Sequence, residues 1–250
     1  MNLPFMAFWP ELKLIAHRGA SAARPENTLP ALYAAHEMGA KWVEFDVVLS
    51  KDGQPFVFHD EHLERTTNGH GLVANTLAAD LKKLDAGEWY SQEYKNTRIP
   101  TLSEWLISAA ELGFAINLEI KPLDHRETLL VDVTLEELAI CWSASLPSPL
   151  ITCFSTDVLS YVRACSPNAK LGLLMHQWRD DWKLMANQLA CTTVHLERHE
   201  INSERVREIH ESNRFVLAYT VNDIKQAQDL LALGVDGVFS NHVEFLETLA

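Results

Sequence analysis

Residues 42–60 read WVEFDVVLSKDGQPFVFHD. Two runs rich in β-branched and aromatic residues flank Asp52-Gly53, a dipeptide suited to a two-residue type I′ turn. The second run, at 55–60, is therefore antiparallel to the first and cannot join a parallel ring. Elsewhere short apolar runs at 12–19, 41–50, 113–122, 150–155, 170–176, 192–197, 215–222 and 235–241 are each followed by a helical pattern. Leu29, Leu32, Tyr33 and His36, at i, i+3, i+4 and i+7, are one such pattern. Thr28 reads as the N-cap of that helix, and Thr101 with Glu104 as a capping box for another. Setting the antiparallel run aside, eight β runs each trailed by a helix predict an α/β fold, a (β/α)₈ TIM barrel. The 250 residues suit one such domain over 1–250, with an inserted hairpin and cap segment at about 51–100 after the second barrel strand.

The same stretch carries chemistry. Within a strand, Glu44 and Asp46 share a face, roughly 6.6 Å apart along it. If Lys51 pairs with Gln54 across the turn, His59 falls opposite Asp46. Two acids on one face repel unless a cation lies between them, and carboxylate oxygens suit a hard divalent ion, Mg²⁺ or Ca²⁺. Trp42, Val43, Phe45 and Val47 make both faces of the run look buried, which disfavours a solvated acidic face. A barrel collects reactive groups at the C-terminal ends of its strands. His17 and Arg18 end the first run, Glu119 and Lys121 end the third on a shared face, and Asn222 ends the seventh. Read separately, Glu119 and Lys121 are equally a structural ion pair, and His195 is a core or a lumen histidine. The remaining histidines read as surface or packing residues.

Composition narrows the class. A net charge of −13 excludes a general nucleic-acid or anionic-membrane surface. An anionic substrate must then be met by local positive charge. The four cysteines, at 141, 153, 165 and 191, form no CxxC pair and read as small buried hydrophobes in a reducing compartment. The opening MNLPFMAFWPELK lacks a basic segment and is broken by prolines, unlike a signal peptide. No window approaches 18 apolar residues. These features predict a cytoplasmic protein without a membrane anchor, and leave its oligomeric state open.

The ordered set AHRGASAARPENT (16–28), VEFDV (43–47), VFHDEHLERTTNGHG (57–71) and LEIK (118–121), extended by YTVN (219–222) and DGVFSN (236–241), resembles the glycerophosphodiester phosphodiesterase family. It is most similar to the compact cytosolic bacterial members. The resemblance implies a metal-dependent hydrolase that cleaves small-molecule glycerophosphodiesters to sn-glycerol 3-phosphate and an alcohol. It implies one divalent cation on Glu44, Asp46 and Glu119, acid–base histidines at His17 and His59, and Arg18 and Lys121 on the phosphate. It also implies attack by the substrate's own glycerol hydroxyl, giving a cyclic phosphate that water opens. Two positions depart from the family pattern. Tyr219 stands where Trp is usual, and Ser240-Asn241 where Thr-Asp is frequent, which removes a charge beside the site. Glu26, Asn27, Tyr219 and Asn222 are candidates to support the ligands or wall the substrate. The segment 60–100 is expected to cap the mouth and shape head-group choice, with Trp89, Tyr90 and Tyr94 as possible walls. Two other readings remain: a barrel acting on another diester such as a lysophospholipid, and a catalytically inactive binding barrel.

Overall fold

The computed structural model describes residue 9 and residues 11–249, so most of the stretch read for a signal peptide lies outside the described residues. Nine strands form one sheet: β1 (Leu14–His17), β2 (Trp42–Leu49), β3 (Pro55–Val57), β4 (Ala115–Ile120), β5 (Leu150–Cys153), β6 (Lys170–Met175), β7 (Thr193–Glu197), β8 (Phe215–Tyr219) and β9 (Gly237–Ser240). The helices are α1 (Leu29–Glu37), α2 (Ala78–Leu81), α3 (Leu102–Glu111), α4 (Glu127–Cys141), α5 (Thr156–Cys165), α6 (Trp182–Gln188), α7 (Ser203–Glu211), α8 (Ile224–Ala232) and α9 (Leu246–Leu249). All strands but β3 are parallel, and β1 pairs with both β9 and β2, closing an eight-stranded ring. The expected TIM barrel is the fold. No helix among the described residues is long and apolar enough to cross a membrane.

Alternation along β2 explains its run of apolar residues. Val43, Phe45 and Val47 turn outward into the core beneath the helices, where the Phe45 and Trp105 rings lie 5.2 Å apart. Glu44 and Asp46 turn the other way, into the barrel. Thr101 and Glu104 form the expected capping box of α3. Thr28 stands at the N-cap of α1, but its hydroxyl donates to the Pro25 carbonyl instead of accepting from the helix. Cys153 and Cys191 are buried as expected, whereas Cys165 is exposed.

The hairpin differs from its expected form. Val47 pairs with Val57 and Leu49 with Pro55, so the loop has three residues, Lys51, Asp52 and Gly53. The Gly53 N–H donates to the Ser50 carbonyl, Ser50 N–H to the Gln54 carbonyl, and Gly53 alone takes a positive φ, +84°. That is a type I turn closed by a left-handed glycine. Ser50 Oγ accepts from Gln54 N–H and donates to Asp52, whose carboxylate also caps Ala78 N–H of α2. These bonds hold Asp52 in a conformation that a type I′ turn, with positive φ at its first residue, does not supply. The register slips by one residue, so Phe58, not His59, meets Asp46.

The inserted segment has a core of its own. Val48, Phe56 and Phe58 pack with Leu63, Val73, Leu81 and Ile99. Val48 and Phe56 lie on the same face of the hairpin as Glu44 and Asp46, further along it.

Candidate active site

β2 carries partners on three flanks. β4 runs along one edge from Trp42 to Val47. The other edge is shared, with β1 pairing its first half up to Glu44 and β3 pairing its end from Val47. β1 is short and stops at His17, directly opposite Glu44. The histidine ending β1 and the one following β3 therefore come to the same edge of β2, His17 within 3.9 Å of Glu44 and His59 beyond the end of β3. His17, Arg18, Glu44, His59, Glu119, Lys121 and Tyr219 line one cavity of about 210 Å³ at the C-terminal end of the barrel.

The backbone after β1 is sharply bent. Arg18 and Asn27 take left-handed conformations, with φ of 57° and 54°, sparsely populated for an arginine. The bend aims the Arg18 N–H at Glu44 Oε2, 2.9 Å away, while Asn27 N–H closes onto the Arg18 carbonyl. Gly19 follows at φ +78°, so close to α1 that a Cβ would lie 2.7 Å from the Ala31 carbonyl carbon.

Glu44, Asp46 and Glu119 offer carboxylate oxygens all within 4.8 Å of one another. Glu44 and Asp46 are buried, and Glu119 nearly so. Burial, then the charges of Asp46 and Glu119, push Glu44 well above the ordinary carboxylate range. Burial and then Asp46 raise Glu119 to about 7. Burial acts upward on Asp46 too, but Lys121 and Arg18 outweigh it and hold that carboxyl low. Lys121 Nζ lies 3.6 Å from Asp46 and 3.8 Å from Glu119. Arg18 Nε lies 3.6 Å from Asp46 and, although buried, has no hydrogen-bond partner. An all-oxygen triad in which Asp46 raises the pKa of both glutamates, beside an unsatisfied guanidinium N–H, fits a hard divalent cation and an anion next to it.

The histidines are held differently. His17 Nδ1 donates to Asn241 Oδ1 at 2.6 Å, and Asn241 is itself fixed by its N–H donating to Asn222 Oδ1. Burial and then Arg18 lower His17 to about 4. His59 Nδ1 donates to Asp60 Oδ1 at 2.6 Å, and burial, ahead of the Arg18 and Lys121 charges, lowers its pKa as well.

The supporting candidates sort by contact. Asn27 Nδ2 donates to Asp46 Oδ2 at 2.9 Å. Glu26 accepts from Arg18 and stands outside the cavity lining. Tyr219 is a wall. Its hydroxyl is tied to the Met175 carbonyl, and its ring meets Phe154 edge-on at 6.0 Å. Asn222 acts two steps from the cavity, through Asn241. The residue feared as a lost charge, Asn241, thus still holds His17. Sequence reasoning missed Asp60, although it adjoins His59, and Phe154, which carries no chemical signature. It also missed Arg65, whose guanidinium meets both Asp60 and Glu26. His195 is fully buried in the lumen, with Nε2 2.7 Å from Thr193 Oγ1.

The inserted aromatics do not wall the cavity. Among the described residues none from 60–100 lines it. The Tyr90 ring meets those of Trp89 and Tyr94 edge to face, and Tyr90 donates to the Ala22 carbonyl while Arg24 lies over the Tyr94 ring. The connection between β1 and α1 offers those rings a nearer apolar and cationic surface than the mouth does.

The family model for glycerophosphoryl diester phosphodiesterases matches residues 17–245. The chain belongs to that family. A glycerophosphodiester phosphodiesterase of Caldanaerobacter subterraneus is 32% identical over 94% of this chain and 96% of its own. One from Bacillus subtilis is 32% identical over 91% of this chain and 83% of its own. An Oleispira antarctica phosphodiesterase, solved in complex with the product sn-glycerol 3-phosphate, superposes with a TM-score of 0.93 at 37% identity, covering 96% of both chains.

Proposed function

We propose that this chain, acting as one barrel unit, hydrolyses glycerophosphodiesters to sn-glycerol 3-phosphate and an alcohol with one divalent cation bound by Glu44, Asp46 and Glu119. The observation that carries the reading is the meeting of that triad with two imidazoles and two cationic side chains in one cavity. The Oleispira relative, with its bound product, supports the substrate class. Three ionised carboxylates against Arg18 and Lys121 leave one net negative charge, and one divalent cation turns it to one positive. That is the complement of a monoanionic phosphodiester. When bound, Mg²⁺ or Ca²⁺ polarises the phosphoryl oxygens and neutralises charge that develops on them.

The chain's own groups supply the rest. Arg18 offers its unsatisfied Nε–H, and Lys121 a point charge, to phosphate oxygens. His17 donates its Nδ1–H in a hydrogen bond to the neutral Asn241 amide oxygen, which leaves the lone pair on Nε2, the form a base needs. The attacking oxygen, from water or from the neighbouring glycerol hydroxyl, loses its proton there. His59 rests on the Asp60 carboxylate, which acts against the burial that lowers its pKa, and in its charged form the ring protonates the departing alcohol. Tyr219 and Phe154 shield one side. The free thiols of all four cysteines accord with a reducing, cytoplasmic setting.

The deciding experiment is release of sn-glycerol 3-phosphate from several glycerophosphodiesters and a lysophospholipid, with and without EDTA. The reading expects EDTA-sensitive release from glycerophosphodiesters, lost together with metal affinity in Glu44→Gln. Activity that survives exhaustive chelation removes the metal role, and a wild-type chain inert to every diester removes the hydrolase role.

A further inference from the structure

A chain of charged hydrogen bonds joins His59 to Arg18 by a route outside the cavity. His59 Nδ1 meets Asp60 Oδ1 at 2.6 Å, and Arg65 holds both Asp60 oxygens, through Nε at 2.5 Å and NH2 at 2.9 Å. The same guanidinium then takes both Glu26 oxygens, through NH1 at 2.8 Å and NH2 at 2.7 Å. Glu26 Oε1 in turn accepts from Arg18 NH1 at 2.7 Å. The two ends of the chain line the cavity and the three middle members do not.

We propose that Arg65, carried by the inserted segment, is a positioning residue that locks the His59 ring and the Arg18 guanidinium into one geometry. The proposal rests on the hydrolase reading above. A guanidinium is the group this bridge requires. Its planar fork grips two carboxylates at once, and an ammonium cannot reproduce both grips. Asp60 and Glu26 come from two segments on the same flank of β2, one from the end of the hairpin and one from the connection after β1. Without a cation between them, two partly buried carboxylates repel, and each releases the catalytic group it holds. Residues 60–100, none of which lines the cavity, therefore act on catalysis through Arg65 and the Asp60 that it holds. A bridge that merely pins the insertion to the barrel would affect melting temperature but not the chemical step.

The test compares wild type, Arg65→Ala, Arg65→Lys, Asp60→Asn and the Arg65→Ala/Asp60→Asn pair, with glycerophosphocholine as substrate at saturating Mg²⁺ or Ca²⁺. Arg65→Ala should lower kcat by about 10–100-fold, the scale for losing a group that orients a ligand or catalytic side chain. Metal affinity should stay near wild type. Arg65→Lys should not restore kcat. The double variant should fall little further than the worse single one, because both substitutions break the same bridge. Arg65 is half-exposed, so added methylguanidinium should recover part of the kcat of Arg65→Ala, and sodium chloride of equal ionic strength should not. If Arg65→Ala does not fold, Arg65→Lys is the variant to read. The proposal is overturned if that variant keeps wild-type kcat, if the two substitutions multiply independently, or if only KM moves. Wild-type inactivity on every diester would instead strike the hydrolase reading itself, and the bridge with it.

Discussion

Each of the two imidazoles proposed for acid–base work has one fixed partner, neutral for His17 and anionic for His59. That difference has a measurable consequence. A nitrophenolate departs without being protonated, so its ester needs a base but no acid. On a natural glycerophosphodiester, either histidine changed to alanine should lower kcat by about 10² or more. On the glycerophospho-nitrophenyl ester, His17→Ala should keep that defect and His59→Ala should lose most of it. Equal defects of both variants on both esters would refute the assignment. His195 concerns stability instead. Burial lowers its pKa from 6.5 to about 3, so the folded state keeps it neutral where the unfolded chain protonates it. Its contribution is intact above pH 6.5 and is lost as pH falls below that value. Between pH 7.5 and 5.5, wild type should lose about 1.4 kcal/mol more than His195→Asn in denaturant titrations. A parallel loss in both proteins would place the acid sensitivity elsewhere.

At the scale of elements, two glycines shape the strands around the site. Gly53 closes the hairpin at φ +84°, and an added Cβ meets nothing nearer than Leu129 at 3.5 Å. Alanine there pays only for the left-handed backbone, about 1 kcal/mol, and turnover should be unchanged because the ladder of β2 and β3 survives. Gly19 is different, since its Cβ would strike the Ala31 backbone at 2.7–2.8 Å. Either α1 moves or the bend after β1 opens, and that bend holds Arg18 N–H on Glu44. Gly19→Ala should cost about 2–3 kcal/mol and reduce turnover as well. Thermal melts and initial rates on both variants separate the two cases. A Gly19→Ala enzyme of normal rate would show that the bend tolerates displacement.

The whole molecule couples metal, pH and folding. Without a cation, Glu119 keeps its proton up to about 7 in the fold against 4.5 when unfolded. Between those values the folded state holds a proton on Glu119 that the unfolded one has lost, so this group's contribution to the stability of the metal-free protein is lost as pH rises through this window. If a divalent cation binds the ionised triad, as proposed, its stabilising effect should grow over the same range. Melting temperatures at pH 5, 6 and 7, with and without Ca²⁺, check this. A metal increment that is flat with pH would show that the triad is not what the cation binds. Substrate choice is also a property of the assembled mouth. Phe154 and Tyr219 come from β5 and β8 and wall the cavity, whereas the insertion does not. Phe154→Ala should therefore shift relative kcat/KM among alcohol groups by about tenfold. Exchanging residues 72–98 for those of a relative should leave that ranking in place, and a changed ranking would return the insertion to substrate selection.

By itself the sequence determined the barrel and most of the site. Eight β runs with trailing helices have few ways to bury both faces of a parallel sheet, and strand polarity alone sends Glu44, Asp46, Glu119 and Lys121 to one end. Period-two alternation likewise put each pair of these residues on one face. The tertiary structure decided what local pattern does not encode. Asp52-Gly53 favours a two-residue turn in isolation, but Ser50 and the start of α2 compete for Asp52 and lengthen the loop. The aromatics at 89–94 read as a pocket wall by composition, yet they found the surface after β1 first. Asn241 became a support of His17 because β1 and β9 pair as the ring closes, although the two residues are 224 positions apart, and Arg65 joined Asp60 to Glu26, 39 positions away. Hydrogen bonds of that reach leave no periodic trace in a sequence, because closure of the ring, not local propensity, brings their partners together.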